Sequence, residues 1–445
     1  FNNDFLLSAD HTMGKLTIDG FVGGTIFSRQ DEGTDSRTKG GLSIPGFYSF
    51  KASVLPAYVV SSMYRQQVNS LYGRLAFSWN SMAYVDGTLR NDWSSTLSES
   101  TRSYLYPSVS GSFVVSELMP EMRWLSLWKV RGSWTSSKTP AGIYDINQVF
   151  NITNNAWANL TSASLPSTIY SSDVFPESSS TWEIGTAVNV YNNRASVDIS
   201  YYNKRMYDFL LEADITPASG YYSSYINIDE EITRKGIEVT LNGTPVKTSD
   251  WRWDISVNWS KYARYITQVD SIYSEDRNMP WFKVGERYDA YSLYDFQRDP
   301  DGNIIHKNGV PLYSNYASKF GNYDPDWIWG INTTLKYKSF SFYVSVDGRV
   351  GGLAQTTTEM YMWRSGSHPN SVTPERYLDA TVPGSKNYTG AGVKVVSGSA
   401  TYDTYGNITS DDRVYAPNDV AVTYESYVNT IHAGTAWGGS PSPLE

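Results

Sequence analysis

The 445-residue sequence contains no cysteine, few histidines and no apolar run that approaches the ~18 residues of a membrane-spanning helix. Without cysteine it can have neither a disulfide framework nor a Cys-ligated zinc site. The four histidines, at positions 11, 306, 368 and 432, lack the close spacing of metal ligands. A net charge of −9 does not provide the basic surface that nucleic acid needs, so we expect no nucleic-acid partner. Because no apolar run is long enough for a membrane-spanning helix, any membrane crossing must use closed β-structure.

Aromatic residues, in contrast, are abundant. The chain has 35 Tyr and 15 Trp, and 40% of its residues are hydrophobic, which excludes general disorder. Tyr and Trp rings have an apolar body and a polar tip, so they favour a boundary that is apolar on one side and wet on the other. The composition points to a folded protein at such a boundary.

Residues 251–260 alternate strictly between apolar and polar side chains. Successive side chains of a strand point to opposite faces. An apolar face is therefore expected from alternate residues of this stretch: Trp251, Trp253, Ile255, Val257 and Trp259. The intervening residues, Arg252, Asp254, Ser256, Asn258 and Ser260, form a polar face. The apolar row is about 27 Å long at ~3.3 Å per residue, or roughly 20 Å along a membrane normal if tilted, close to the ~25 Å apolar band of outer-membrane barrels. We expect this row to face lipid.

The same alternation recurs in other segments, such as Val197 to Tyr201 and Ile237 to Leu241. It predicts about a dozen strands, whereas no segment shows a sustained helical period. The polar faces are expected to line a lumen, where carboxylates pair with basic side chains. The predicted lumen-facing residues are Lys129, Arg131, Asp198, Glu238, Arg252 and Asp254.

Short and long links alternate along the chain. Short links occur at residues 80–81, 192–194, 243–250 and 338–339, and long polar links at residues 30–58, 138–181, 265–286 and 348–445. This asymmetry is typical of a barrel with one rim in the periplasm and the other outside. The predicted fold is all-β, a large antiparallel transmembrane β-barrel with its strands in residues 1–347 and a long extracellular loop region in residues 348–445.

An ordered series of segments resembles the SusC/RagA-type TonB-dependent outer-membrane transporters. The segments are YLYPSVSGSFVVSE at 104–117, WLSLWKVRGSW at 124–134, YYNKRMYDFLL at 201–211, TRKGIEVTL at 233–241, VGER at 284–287 and YSLYDF at 291–296. The order and spacing match the family across residues 71–350. The resemblance implies a barrel of about 22 strands in the bacterial outer membrane, filled by a plug. It also implies energy transfer through TonB, a SusD-like lipoprotein over the mouth, and import of oligosaccharides or peptides.

Several segments that the resemblance implies are not found in this sequence. No plug-like sequence, TonB-contacting segment or aromatic terminal strand is found, and about a dozen strands would leave two unpaired edges in hydrocarbon. We therefore expect TonB to act through a segment outside this chain. We also expect additional sequence on both sides, or a second chain, to close the barrel.

Ligand contact is expected in the outer loops, where aromatic rings lie among small polar residues. The candidates are Trp157, Tyr221, Tyr222, Tyr225 and Trp363. The alternative is that these rings pack the loops against each other or against the lipoprotein. Trimming the loop between residues 143 and 180 is expected to alter uptake or lipoprotein docking and to leave the barrel folded.

Residues 299–303, DPDGN, resemble part of a calcium loop, but the glycine falls early and no acidic residue follows soon after. An ordinary tight turn is the preferred interpretation. We find no catalytic constellation and expect no enzyme activity, cofactor or metal.

Two alternatives remain open. A soluble or surface-anchored glycan-binding protein would bury the Trp251 row in a core, and a β-propeller or β-sandwich hydrolase would need a pair of facing carboxylates.

Overall fold

The computed structural model describes residues 1–157, 160–272 and 279–432. Strands in the first part of the chain are β1 (Asn2–Met13), β2 (Leu16–Leu42), β3 (Ser53–Trp79), β4 (Ala83–Ser94), β5 (Ser103–Val114), β6 (Leu125–Thr139), β7 (Asn151–Trp157), β8 (Leu160–Ser164), β9 (Thr168–Tyr170), β10 (Glu177–Val190), β11 (Ala195–Tyr207), β12 (Phe209–Asp214) and β13 (Ser223–Ile228). Strands in the second part are β14 (Glu231–Lys247), β15 (Trp251–Gln268), β16 (Ala290–Phe296), β17 (Ile305–Lys307), β18 (Val310–Pro311), β19 (Tyr313–Asn322), β20 (Trp327–Tyr337), β21 (Phe340–Val350), β22 (Val393–Ser397), β23 (Ala400–Tyr402), β24 (Ile408–Asp411) and β25 (Val414–Pro417). The α-helices are α1 (Thr357–Ser365), α2 (Pro374–Thr381) and α3 (Tyr424–Ile431).

A single twelve-stranded sheet dominates the fold, in the order β1-β2-β3-β4-β5-β6-β10-β11-β14-β15-β20-β21. Neighbours in the sheet follow each other along the chain, apart from small strands inserted in three of the long links. This up-and-down order is the one that an outer-membrane barrel wall requires. The prediction of about a dozen strands is confirmed.

Tight turns join the strands at one end of this sheet. Strand β10 leads to β11 through Tyr191, Asn192 and Asn193, all with positive φ, and β3 leads to β4 through Asn80 and Ser81 in the same conformation. Asn tolerates this left-handed region better than most residues because its side chain bonds locally. From β6 to β21 the predicted alternation of short and long links is present, whereas the β2–β3 link (residues 43–52) and the β5–β6 link (residues 115–124) have the same length.

The structure corrects the predicted loop over residues 30–58. Strand β2 continues to Leu42 and β3 begins at Ser53, so most of the expected loop is a two-stranded ribbon. The register runs from Leu16 opposite Trp79 to Leu42 opposite Ser53. Only residues 43–52 connect the two strands outside regular β-structure, and they include a 3-10 helix at Phe50–Ala52.

The chain divides into two compact units. One comprises residues 1–262, 267–274 and 329–346, and the other comprises residues 263–266, 275–328 and 347–445. The first unit contains most of the large sheet. The second contains the four-stranded sheet β18-β17-β22-β25 and the two-stranded pairs β16-β19 and β23-β24.

The second unit also contains the three α-helices, which the sequence analysis did not predict. Thr373 caps α2 by accepting a hydrogen bond from the Arg376 amide, and Thr423 caps α3 by accepting one from the Ser426 amide. Buried Trp363, Tyr424 and Val428 pack α1 against α3. No described helix has both the length and the apolar character needed to cross a membrane.

Candidate functional site

The two faces of the large sheet have opposite chemistry. Residues opposite one another in neighbouring strands project to the same face. On one face Trp134 lies opposite Trp182, Thr186 opposite Ile199, and Ile199 opposite Val239. This row is not a buried core, since Ile184 on the same face is 56% exposed. Exposed apolar surface of this extent is a feature of proteins that contact lipid or a partner.

The predicted lipid-facing row occupies β15 as the alternation indicated. Trp251 and Trp253 are 44% and 37% exposed, and Ile255, Val257 and Trp259 are half-buried. The Trp253 indole Nε1 donates a hydrogen bond to the Thr333 Oγ1 of β20 at 2.8 Å. The Trp251 ring lies 4.3 Å from the Tyr337 ring, beside the tight turn that joins β20 to β21. The alternative of a soluble protein with these indoles in its core does not hold.

The opposite face carries ion pairs that cross between strands. The Arg131 guanidinium of β6 bonds both carboxylate oxygens of Asp198 on β11, at 2.9 and 2.7 Å, and lies 3.8 Å from Glu183 of β10. Arg74 pairs in the same way with Asp19 and Asp86 on its two neighbouring strands. Arg131 and Arg74 are therefore each compensated by carboxylates of other strands.

The six predicted lumen-facing residues share this polar face. Lys129 and Asp198 both lie opposite Ala187, so the two form one row across three strands. Asp254 accepts hydrogen bonds from Arg252 at 2.7 Å and from Thr244 at 2.8 Å. Glu238 lies opposite Ser200. The predicted pairing of carboxylates with basic residues is present for Asp198 and Asp254.

Segments of the long links fold over the polar face near the ends of β4 and β5. Tyr104 and Tyr106 belong to that face, because they lie opposite Asp92 and Arg90. Buried Ala141 and Val174 from the β6–β10 link pack with Tyr104 and Leu97 in an apolar cluster. Tyr106, Ile146, Leu210 and Tyr225 surround this cluster. Links that approach the polar face from this end place loop residues over any passage that the face encloses.

The predicted ligand-contacting rings have different environments. Tyr222 is 67% exposed, and Tyr221 is half-buried. Tyr225 packs at the edge of the loop cluster, 6.1 Å from the Tyr170 ring. The Trp157 side chain lies outside the described residues.

Trp363 is stacked on both of its faces. His368 and His432 lie 4.1 and 4.0 Å from it, at interplanar angles of 12° and 8°. The predicted contact of Trp363 with a ligand would require this stack to open, whereas Tyr222 is accessible as it stands.

Residues 299–303 form a tight turn held by the Asp299 side chain. Its Oδ1 accepts hydrogen bonds from the Asp301 and Asn303 amides at 3.0 and 2.8 Å, and its Oδ2 accepts one from the Asn303 side chain at 2.9 Å. These bonds hold the pKa of Asp299 below its ordinary value. Asp403 and Asn407 repeat the arrangement in the segment DTYGN. Within the described ranges, no group of three or more His, Cys, Asp or Glu side chains could hold a metal ion.

One basic position on the polar face was missed by the sequence analysis. Arg234 of β14 lies opposite Lys204 of β11, and its guanidinium carbon is 3.9 Å from the centre of the Tyr262 ring and 5.8 Å from that of Tyr202. The signal was available in the alternation of residues 233–241, which places Arg234 on the same face as Glu238.

A family model described as "TonB dependent receptor-like, beta-barrel" matches residues 1–289. The chain belongs to this family. It is an outer-membrane protein, and its sheet is part of a large antiparallel transmembrane β-barrel. The match begins at residue 1, so the family likeness extends over strands that precede the segments singled out in the sequence.

Curated relatives of this TonB-dependent receptor barrel carry the same family name. TonB-dependent receptor P26 of Formosa agariphila is 24% identical over 339 residues, which cover 68% of this chain and 33% of the relative. TonB-dependent receptor SusC of Bacteroides thetaiotaomicron is 24% identical over 319 residues, which cover 63% of this chain and 31% of the relative. The chain therefore spans about a third of the length of these curated relatives.

Among solved structures, the barrel is similar to the structure described as the RagAB peptide transporter. The TM-score is 0.67 at 18% sequence identity, and the superposition covers 81% of this chain and 42% of that chain. The closed-closed state of the RagAB peptide importer gives a TM-score of 0.66 at 18% identity, over 79% of this chain and 41% of that one. At this identity the likeness concerns the fold.

Proposed function

We propose that this chain forms part of the barrel wall of an active importer, which takes up oligosaccharides or peptides across the bacterial outer membrane. The observation that carries the proposal is the two-faced sheet, with a continuous exposed apolar face on one side and cross-strand ion pairs on the other. Such a wall separates hydrocarbon from a wet interior. The wall has no chemistry to perform on the solute, so we assign it no enzymatic role.

In this proposal the exposed row of β15 contacts lipid. Trp251, Trp253, Ile255, Val257 and Trp259 then span the apolar band, and the Trp251–Tyr337 pair lies in the inner aromatic girdle. The Trp253 indole N–H donates a hydrogen bond to Thr333 Oγ1, so this donor is satisfied where the row contacts hydrocarbon.

The polar face in turn lines the passage. Lys129, Arg131, Asp198, Glu238, Arg252 and Asp254 give it a mixed charge that is compensated in large part within the wall. A wall of this kind stays hydrated without strongly retaining ions of either sign.

Solute recognition is proposed for the outer links. Exposed Tyr222, with Tyr221 and Tyr225 beside it, has the composition that stacks on sugar rings or grips a peptide. The role proposed for Trp157 and Trp363 is the same, with Trp363 acting after its histidine stack opens. RagAB is described as a peptide transporter, which supports the peptide half of the proposal.

Two partners complete the proposed importer. A SusD-like surface lipoprotein covers the extracellular mouth, and TonB supplies energy through a segment that is not in this chain. The likeness to RagAB in fold and to SusC in sequence supports both partners. Residues 348–445 are proposed to contribute to the extracellular surface on which the lipoprotein rests.

Uptake by whole cells tests the proposal. A strain that lacks the gene and the same strain carrying the full-length gene are grown with size-fractionated pools of oligosaccharides and peptides, and the medium is followed by mass spectrometry. We expect a defined set of solutes to remain only in the medium of the deletion strain. Identical depletion of both pools by the two strains would overturn the import function.

A further inference from the structure

Two positive charges face each other near the outer end of the polar face. Lys204 of β11 is the register partner of Arg234 of β14. Like charges directly opposite each other in a sheet are destabilising. In the part of the chain that the structure describes, neither side chain forms an ion pair with a carboxylate. The pair is therefore a local concentration of uncompensated positive charge in a chain whose net charge is −9.

The other arginines of this face differ from Arg234 in having carboxylate partners. Arg131 bonds Asp198, Arg252 bonds Asp254, and Arg90 bonds Asp92. Two carboxylates of this face, Glu183 of β10 and Glu238 of β14, form no ion pair with Lys204 or Arg234 in the described part of the chain. Glu183 lies opposite Tyr202 and close to Arg131, and Glu238 lies opposite Ser200. The lack of a carboxylate partner thus distinguishes Arg234 from these other arginines.

Aromatic rings hold the guanidinium in place, whereas its Nε has no acceptor. The Tyr262 ring lies 3.9 Å from the Arg234 guanidinium carbon, and the Tyr202 ring 5.8 Å from it. Contact with ring faces stabilises the cation, but the N–H groups lie in the guanidinium plane and need acceptors. The Nε of Arg234 is buried and has no hydrogen-bond partner. A buried donor without an acceptor costs about 1–3 kcal/mol.

Gly236 leaves space for the Tyr202 ring beside Arg234. Gly236 follows Arg234 on the same face and lies opposite Tyr202. A Cβ at position 236 would lie 2.5 Å from the Tyr202 hydroxyl oxygen, so only glycine lets that ring lie across β14. The rings and the glycine together form a built cradle around Arg234, with the guanidinium edge as its polar element.

The cradle lies at the outer end of the apolar band. On the opposite face of β14, apolar Leu241, Val239 and Ile237 are followed by Lys235, which lies opposite Asn203. Polar side chains at Lys235 and Asn203 mark the outer limit of the surface that contacts hydrocarbon. A solute that enters from outside would meet the Lys204–Arg234 pair before it meets the ion-paired wall below.

We propose that Lys204 and Arg234 form a binding site for an anionic group of the imported solute. The guanidinium edge and the ammonium group are suited to the oxygens of a carboxylate or of a sulfate or phosphate ester. The inference rests on the proposed import function for the identity of the ligand as a solute. It adds that the solute is an acidic peptide or an acidic oligosaccharide.

Anion binding to the purified full-length protein in detergent tests this site. The unfolding temperature of the barrel is followed by the change in gel mobility on heating, with sulfate or succinate replacing chloride at constant ionic strength. Arg234→Gln and Lys204→Gln each remove one positive charge from the site. Lys235→Gln removes the same charge from the adjacent residue on the opposite face and is the matched control.

We expect a saturable rise in the unfolding temperature of the wild type and of Lys235→Gln with at least one of the two anions. The apparent affinity should fall at least tenfold in Arg234→Gln and in Lys204→Gln. Sulfate also stabilises proteins by exclusion from their surface, so only the saturable difference between wild type and Arg234→Gln counts. Saturation by sulfate alone assigns the site to sulfate or phosphate esters, and saturation by succinate alone assigns it to carboxylates.

Equal responses of wild type and Arg234→Gln to both anions would overturn the site. So would an unfolding temperature of Lys204→Gln below that of the wild type in chloride alone. That result would mean that the Lys204–Arg234 pair stabilises the fold instead of destabilising it. If Arg234→Gln fails to assemble, Arg234→Lys provides the second variant, with the charge kept and the fork lost. Anion binding in this assay, combined with unchanged uptake in the deletion strain, would overturn the import function and leave the site standing.

Discussion

The Arg131 guanidinium passes over strand β10 to reach the Asp198 carboxylate on β11. Gly185 of β10 is opposite both Arg131 and Ser200, and a Cβ there would lie 2.8 Å from the Arg131 guanidinium carbon. The ion pair therefore links two strands that are not neighbours, and it depends on the missing side chain between them.

Substitution of Gly185 by Ala is expected to break this link. The added methyl displaces the flexible end of Arg131 and removes its bidentate bond, which is worth about 1 kcal/mol for a partly exposed pair. Urea unfolding of the full-length protein, followed by gel mobility, measures the loss. Gly132→Ala is the matched control, because a Cβ there meets nothing closer than the Glu183 carbonyl oxygen at 3.8 Å.

A double-mutant cycle makes that prediction specific. In an Asp198→Ala background the same glycine substitution should cost little, since the bond that it breaks is already gone. An undiminished cost in that background would mean that Gly185 matters for another reason.

Substitution of Ile255 by Arg tests the orientation of the apolar face. A charge near the middle of the lipid-facing band costs roughly 2 to 4 kcal/mol, so we expect Ile255→Arg to block assembly into the outer membrane. Ser256→Arg places the same side chain one residue further along β15, on the polar face, and should assemble normally. Recovery of heat-modifiable barrel in outer-membrane fractions measures both. Equal assembly of the two variants would contradict a lipid-facing row at Ile255.

Removal of the β7–β8 hairpin, residues 151–164, tests the role of the β6–β10 link. The hairpin is a separate two-stranded pair, and the deletion leaves Ile146 and Val174 in the loop cluster. We expect the barrel to assemble with unchanged heat-modifiability, whereas uptake or lipoprotein binding changes. The Trp157→Ala variant then shows whether that residue carries the effect. Failure of the deleted protein to assemble would instead make the hairpin a structural element of the wall.

Acid is expected to loosen the packing around His306. This side chain is 3% exposed, its Nδ1 donates to the Ile304 carbonyl oxygen at 3.1 Å, and its ring stacks on Tyr427. Burial lowers the pKa of His306 from its ordinary value of 6.5. The folded state therefore binds fewer protons than the unfolded state, and the stability of this region falls as the pH drops below about 6.5.

Hydrogen exchange of the peptides that contain β17 and α3 measures this effect. Protection should be constant above neutral pH and decline between pH 6.5 and the lowered pKa. His306→Gln should remove the pH dependence, and His11→Gln, on the exposed edge strand β1, should retain it. A protection profile of the wild type that is flat down to pH 5 would disprove a role for His306.

The wall strands could be predicted from sequence because each has a different medium on each side. In β15, β11 and β14 the period-two alternation follows directly from this difference, and it also fixed the face on which Asp198 and Glu238 lie. Pairing of Asp198 with a basic residue of that face was anticipated for the same reason. The choice of Arg131 and the path over Gly185 depend on register, which single-strand patterns do not contain.

The β2–β3 ribbon beyond Gln30 and the three helices could not be predicted, because their sequences lack a clear periodic pattern of apolar residues. Beyond Gln30, both faces of β2 are polar and solvated, so the strand is set by pairing with β3 and leaves no alternation to detect. Helices α1 to α3 have 8 or 9 residues, which is too short for a clear helical period. Trp363 shows the same difficulty at the level of one ring, because composition does not reveal that His368 and His432 cover it.

Strands β2 and β3 have 27 residues each, and β3 pairs with β4 only from Val68 onward. Residues 53–67 therefore form, with β2 alone, an arm about 50 Å long at ~3.3 Å per residue, with Tyr48 at its far end 90% exposed. The pairing of β2 with β3 is irregular between Arg37 and Leu42, near the tip, and keeps one register from Arg37 down to Leu16. A force applied to Tyr48 is therefore transmitted through the paired strands to the wall.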